Sequence, residues 1–85
     1  MIDKKSPEHK VITYRTTMCP WCHRAEEFFK ANNVEFTSIN VARDLNAARE
    51  MTQKSGQMGV PVIDIDGHII VGYDVLSFKK LLGRK

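Results

Sequence analysis

Cysteine is scarce in this sequence. Cys19 and Cys22 are the only two in 85 residues. A pair this close excludes the multi-disulfide framework that supports many small secreted domains, because a bridge across so short a loop removes little unfolded-state entropy. Long apolar runs are absent as well. No stretch approaches the ~20 apolar residues of a membrane span. The opening "MIDKKSPEHK" lacks the apolar core of a signal peptide. Both absences point to a cytoplasmic protein with no membrane partner. In a reducing cytosol a lone CxxC serves metal binding or catalysis more often than structure. Internal repeats, linkers and low-complexity blocks are missing, so the length suits one domain. With 42% apolar residues, a single modest core is possible, and its stability margin is roughly a few kcal/mol.

Negative charge is in slight deficit, and the net charge is +3. Lys79, Lys80, Arg84 and Lys85 concentrate the basicity at the C-terminal end. They are not interleaved with aromatics, and no nucleic-acid motif accompanies them. They read as a solvated helix end, where cations complement the dipole, and no nucleic-acid partner is expected.

Residues 1–9 are polar and read as a flexible tail; residues 10–85 form the domain. "KVITYRT" (10–16) alternates and is rich in β-branched residues, which predicts a strand with Val11, Thr13 and Arg15 on one face and Ile12 and Tyr14 on the other. A helix follows over Pro20 to Ala31, with Pro20 at the first helical position, where its missing N–H costs nothing. Cys22, Ala25, Phe28 and Phe29 make its apolar stripe, leaving Glu26, Glu27 and Lys30 to face water. "VEFTSINV" (34–41) predicts a second strand. Asp44 is a plausible N-cap for a helix to about Lys54 or Ser55, with Leu45, Ala48 and Met51 inward and Gly56 as the stop. "VPVIDIDGHIIVG" (60–72) is a hairpin about Asp66-Gly67, a pair suited to a type I′ turn. Asp74 then caps a last helix that buries Val75, Phe78, Leu81 and Leu82 and ends at Gly83. The order β-α-β-α-β-β-α predicts an α/β fold: a four-stranded mixed sheet flanked by helices, its first two strands parallel.

The chemistry concentrates in "CPWC". With Pro20 first in the helix, Cys19 is the N-cap, and its sulfur can accept from the free N–H of Trp21 or Cys22. The helix dipole adds partial positive charge there. Both effects favour the thiolate and lower the pKa of Cys19. Arg15, His23 and Arg24 add positive potential, and no acidic residue stands between Glu8 and Glu26. Cys22 lies one turn on, on the same face, at a spacing compatible with a disulfide. The expected division of labour is asymmetric. Cys19 attacks a substrate disulfide, and the more buried Cys22 resolves the mixed disulfide.

Two other readings compete. Zinc wants four ligands, and the two cysteines with His9, His23 and His68 show no ligand spacing within one chain. That leaves only a metal bridging a dimer. The cysteines could instead be inert core residues of a redox-silent adaptor. A CxxC at the strand–helix junction of a βαβ unit favours the redox dithiol. Val60-Pro61 opens the third strand. Taken locally, Pro61 either merely starts an edge strand or forms a cis bond that leaves the Val60 backbone free for an extended substrate.

From about residue 10 to 83 the chain resembles the glutaredoxins, small members of the thioredoxin-fold superfamily. The resemblance is carried by "CPWC" after strand one, "GVP" before strand three and "GYD" before the last helix. It implies thiol–disulfide exchange on protein disulfides or glutathione mixed disulfides, with Cys19 as nucleophile, Cys22 as resolving cysteine and Pro61 cis. It implies no bound cofactor, glutathione as reductant, and a monomer. Pro20 and Trp21, where the family commonly has tyrosine, would line the groove, with Arg15 nearby. Gln57, Val60, Pro61, Gly72, Tyr73 and Asp74 would complete a glutathione site. Three departures stand out. Thr16 occupies the place of a frequent lysine, Gly59 replaces the threonine of "TVP", and Val75 replaces the second aspartate of "GGxDD". The chain is also similar to NrdH-type redoxins, which have a glutaredoxin fold but take electrons from thioredoxin reductase and serve ribonucleotide reductase. It lacks their aromatic–arginine–proline pattern after the hairpin.

Overall fold

The computed structural model describes residues 9–83. Apart from His9, the expected N-terminal tail lies outside the described residues, as do Arg84 and Lys85. The elements run β1 (Val11–Arg15), α1 (Pro20–Ala31), β2 (Thr37–Asn40), α2 (Leu45–Ser55), β3 (Val62–Ile65), β4 (His68–Val71) and α3 (Val75–Leu82). The sheet order is β2-β1-β3-β4, with β1 and β2 parallel and the other pairs antiparallel. This is the mixed four-stranded sheet that the order of elements predicts. No helix among the described residues is long and apolar enough to cross a membrane.

Strand side chains alternate between two faces, and both faces here are covered. Val11, Ile63, Ile65 and Ile70 pack with Ala25 and Phe29 of α1 and with Phe78 and Leu82 of α3. Tyr14 and Val62 pack on the other side with Ala47 and Met51 of α2. The Phe29 and Phe78 rings meet at 5.0 Å between centroids, and each buried ring contributes about 1.5–3 kcal/mol. All three helices begin on their expected caps. Cys19, Asp44 and Asp74 each accept a backbone N–H, and Gly56 and Gly83 end α2 and α3 in the left-handed region. Asp66 and Gly67 both have positive φ, as a type I′ turn requires.

Three expectations need correction. Leu45 is 67% exposed, and Ala47 takes its inward place because α2 is rotated so that residues 47 and 51, four apart, face the sheet. Pairing of β2 begins at Thr37, not Val34. Val34 is still buried, held by its N–H to the Phe29 carbonyl at 2.8 Å in the turn after α1. Glu26 does not face water. It is 8% exposed, for reasons that belong to the site.

The register collects five chain segments at one end of the sheet. Tyr14 stands opposite Val62 and Val62 opposite Val71. The Gly72 N–H then donates to the Pro61 carbonyl at 2.9 Å. The end of β1, the start of β3, the end of β4 and the N-termini of α1 and α3 therefore converge.

Candidate active site

Cys19 and Cys22 are joined as a disulfide, with Cα atoms 5.2 Å apart. Cys19 is the N-cap of α1, extended at φ −126°, and its Sγ accepts from the Cys22 N–H at 3.2 Å. Pro20 at the first helical position enforces this geometry, since it fixes φ and offers no competing donor. The first turn carries no acidic side chain, so nothing offsets the positive end of the dipole at Cys19. Cys22 is the deeper of the two, at 1% exposed against 8% for Cys19. The burial difference runs in the direction the sequence predicts.

The loop before Cys19 is pinned from two sides. The His23 ring nitrogen lies 3.1 Å from the Thr17 carbonyl, and Asn40 Nδ2 donates to Thr17 Oγ1 at 3.0 Å. Trp21 is 56% exposed. Its ring lies 5.7 Å from that of Tyr73 and carries the Arg24 guanidinium at 5.3 Å. The structure thus brings two expected groove residues together across the α1–α3 gap. Val60-Pro61 is cis, which decides between the two local readings of Pro61. Pro61 itself is buried. Among the described residues, the Val60 backbone N–H and C=O have no hydrogen-bond partner.

Other expected site residues are engaged elsewhere. Asp74 accepts from the Ser77 N–H at 3.2 Å and the Ser77 hydroxyl at 2.8 Å. The Ser77 hydroxyl, with backbone N–H groups, holds the carboxyl below the usual carboxylate range. Part of the α3 N-terminus is therefore already occupied by the chain's own carboxylate. Gln57 is exposed, with its amide 3.4 Å from the Gly59 carbonyl. Arg15 projects to the α1 side of the sheet. Its Nε donates to Ser38 Oγ at 2.6 Å and lies 3.4 Å from Glu26 Oε2, and its Nη1 donates to the Thr16 carbonyl at 3.3 Å.

Sequence reasoning missed Glu26. Its Oε2 accepts from the hydroxyls of Thr13 and Ser38, each at 2.6 Å. A signal was available, because Cys22, Ala25, Glu26 and Phe29 fall at i, i+3, i+4 and i+7, the full spacing of an inward helical face. Nothing in the sequence, however, identifies its partners on β1 and β2.

A mixed sheet with α1 and α3 on one face, α2 on the other and a buried CxxC disulfide at a helix N-terminus defines a small thiol–disulfide redox protein. Comparisons with known proteins narrow the class. The glutaredoxin family model matches residues 11–70. An uncharacterized glutaredoxin-like 8.6 kDa protein of Clostridium pasteurianum is 46% identical over 81% of this chain and 92% of its own length. Glutaredoxin 3 of Escherichia coli is 40% identical over 78% of this chain and 80% of its own length. The crystal structure of a glutaredoxin from Archaeoglobus fulgidus superposes with a TM-score of 0.79 at 26% identity, covering 88% of this chain and 87% of that one. The chain belongs to the glutaredoxin family, whose members are thiol–disulfide oxidoreductases that act with glutathione as a reductant.

Proposed function

We propose that the protein carries electron pairs to disulfides through Cys19 and Cys22. In the reduced form the Cys19 thiolate attacks one sulfur of a substrate disulfide. A Cys19–substrate bond forms and one substrate thiolate leaves. The Cys22 sulfur then attacks Cys19 Sγ, giving the Cys19–Cys22 disulfide and releasing the second substrate thiolate. The two protons of the dithiol end on the two released thiols, so two electrons and two protons pass to the substrate. The Cys22 N–H that points at Cys19 Sγ carries this reading, because the same contact stabilises a thiolate at that sulfur. Trp21 and Tyr73 form one wall of the substrate groove, and the unpaired Val60 backbone offers an extended substrate a donor and an acceptor.

Glutathione is the reductant this reading favours, supported by family membership and by the free Val60 backbone. Thioredoxin reductase is the second reading. It is favoured by the internal engagement of Asp74, by Val75 beside it, and by Thr16 before the loop. NADPH oxidation with the oxidised protein tests both. One arm contains glutathione and glutathione reductase, the other thioredoxin reductase alone. Turnover in the glutathione arm alone supports the first reading, and turnover in the other arm alone supports the second. Cys19→Ser is expected to abolish disulfide reduction, and Cys22→Ser to trap the mixed disulfide or retain only monothiol activity. Full activity of Cys19→Ser would sink the proposal.

A further inference from the structure

The end of β1 that carries the active site also carries a cation, Arg15. The register puts it at that end. Tyr14 pairs with Val62, the first residue of β3, so Arg15, the last residue of β1, stands at that end of the sheet, and Thr16 follows into the Cys19 loop. A free guanidinium there would attract an anionic group on any substrate entering the site. The structure shows it held elsewhere. Ser38 Oγ accepts its Nε at 2.6 Å, Glu26 Oε2 stands 3.4 Å from that Nε, and the Thr16 carbonyl takes its Nη1 at 3.3 Å. Glu26 is itself fixed by Thr13 and Ser38, at 2.6 Å each, and its side chain is 11% exposed. A carboxylate this buried would be costly without its partners, so the cluster holds Arg15 as firmly as Arg15 balances Glu26.

We infer that Glu26 is a specificity-determining residue acting through Arg15. By pinning the guanidinium against Ser38 on the edge strand β2, across β1 from β3 and the Val60-Pro61 segment, it withholds that charge from the substrate groove. The site therefore discriminates little in favour of anionic disulfides over neutral ones. The inference rests on the disulfide-transfer reading above but not on either choice of reductant. Glu26 touches no reacting atom; its part is to position Arg15.

The test is single-turnover reduction by the dithiol form of the full-length protein, with two small probes, anionic dithiodipropionate and neutral hydroxyethyl disulfide. The readout is the ratio of the two second-order rate constants. Glu26→Gln keeps a hydrogen-bond acceptor for Thr13 and Ser38 but removes the charge that holds Arg15. It is expected to raise the anionic-to-neutral ratio about threefold at low ionic strength, the scale of a partly exposed ion pair. The gain should fade near 1 M salt, where the Debye length falls to about 3 Å. It should also vanish in the double variant Glu26→Gln/Arg15→Gln. Glu27→Gln removes the same charge from the exposed side of α1 and should leave the ratio unchanged. A folded Glu26→Gln protein with the wild-type ratio overturns the inference. So does an equal rise in Glu27→Gln, or a rise that survives in the double variant. If near-ultraviolet circular dichroism shows that Glu26→Gln does not fold, Ser38→Ala takes its place. It removes the 2.6 Å acceptor of Arg15 and should raise the ratio in the same direction; an unchanged ratio is equally fatal. If the unaltered protein reduces neither probe, the disulfide-transfer reading fails instead, and the two failures are distinct.

Discussion

Replacing Lys54 by methionine probes the polar cluster that fastens α2 to the sheet. Lys54 Nζ donates to Asp64 Oδ2 at 2.7 Å and to the Tyr14 hydroxyl at 2.8 Å, and it pairs with Glu50 at 3.3 Å. It also lies 5.2 Å from the Tyr14 ring centroid. Burial opposes the ammonium charge, but the hydrogen bonds to Asp64, Tyr14 and Glu50 outweigh it and raise the Lys54 pKa. Methionine keeps most of the stem and removes the charge. Asp64 then retains only the Gly67 N–H on Oδ1, at 2.8 Å, and the wholly buried Tyr14 hydroxyl loses its donor. The loss of a charged hydrogen bond at Asp64 costs about 2 kcal/mol, near the middle of the usual range because water can reach part of the site. The phenol's loss of its Lys54 partner adds about 1 kcal/mol. Glu50 is half exposed and adds a few tenths at most, about 0.3 kcal/mol. The expected total is about 3 kcal/mol, read as a lower urea midpoint with an unchanged slope. A raised folded-state pKa means that the Lys54 contribution is fully present below the unfolded lysine value. It fades only as pH rises from about 10.4 through the folded value. The gap between the two proteins should therefore hold from pH 6 to 9, about neutrality, and close in strong base. A loss below about 1 kcal/mol at neutral pH would refute the reasoning, because it would mean that Asp64 and Tyr14 find water as good a partner as Lys54.

Further outcomes are expected. Gly56→Ala meets no atom within 4 Å, but its φ of +75° should cost about 1 kcal/mol by the same urea titration, with Gly56→Asn costing less. The Asp66 carboxyl, exposed at the hairpin tip, is held below the usual aspartate value by the His9 ring and then by the Lys10 N–H. Carboxyl NMR titration of His9→Ala should move it back upward. The support this contact gives is present above the unfolded aspartate value and is lost as pH falls through the lower folded one. A pH titration of thiolate absorbance in the reduced protein should place Cys19 below the free-cysteine value of about 8.5, and a normal value would argue for the redox-silent reading.

The elements could be read from the sequence because their signals are local. Pro20 and the 3.6-residue spacing after it define α1, Asp44 and Asp74 announce two helices, and Asp66-Gly67 announces the hairpin. The paired cysteines were legible for the same reason, since a strand–helix junction places an N-cap sulfur and its neighbour one turn on without help from the rest of the chain. Leu45 and Glu26 were misread because the inward face of a helix depends on what packs against it. The Leu45–Ala48–Met51 row is as apolar as a core face, yet the sheet meets Ala47 and Met51.

By itself the sequence determined the order of elements, the caps and turns, the CPWC dithiol and its asymmetry, all of which depend on contacts within a few residues. Only the tertiary structure decided which charges the site can use. Arg15 lies close to Cys19 in sequence, but two residues distant from it in the chain, Glu26 and Ser38, turn its charge aside. Lys54 looks like an ordinary end of a helix until Tyr14 and Asp64 close around it. Charge acts through space, and strand register together with helix rotation set those distances only when the chain is folded.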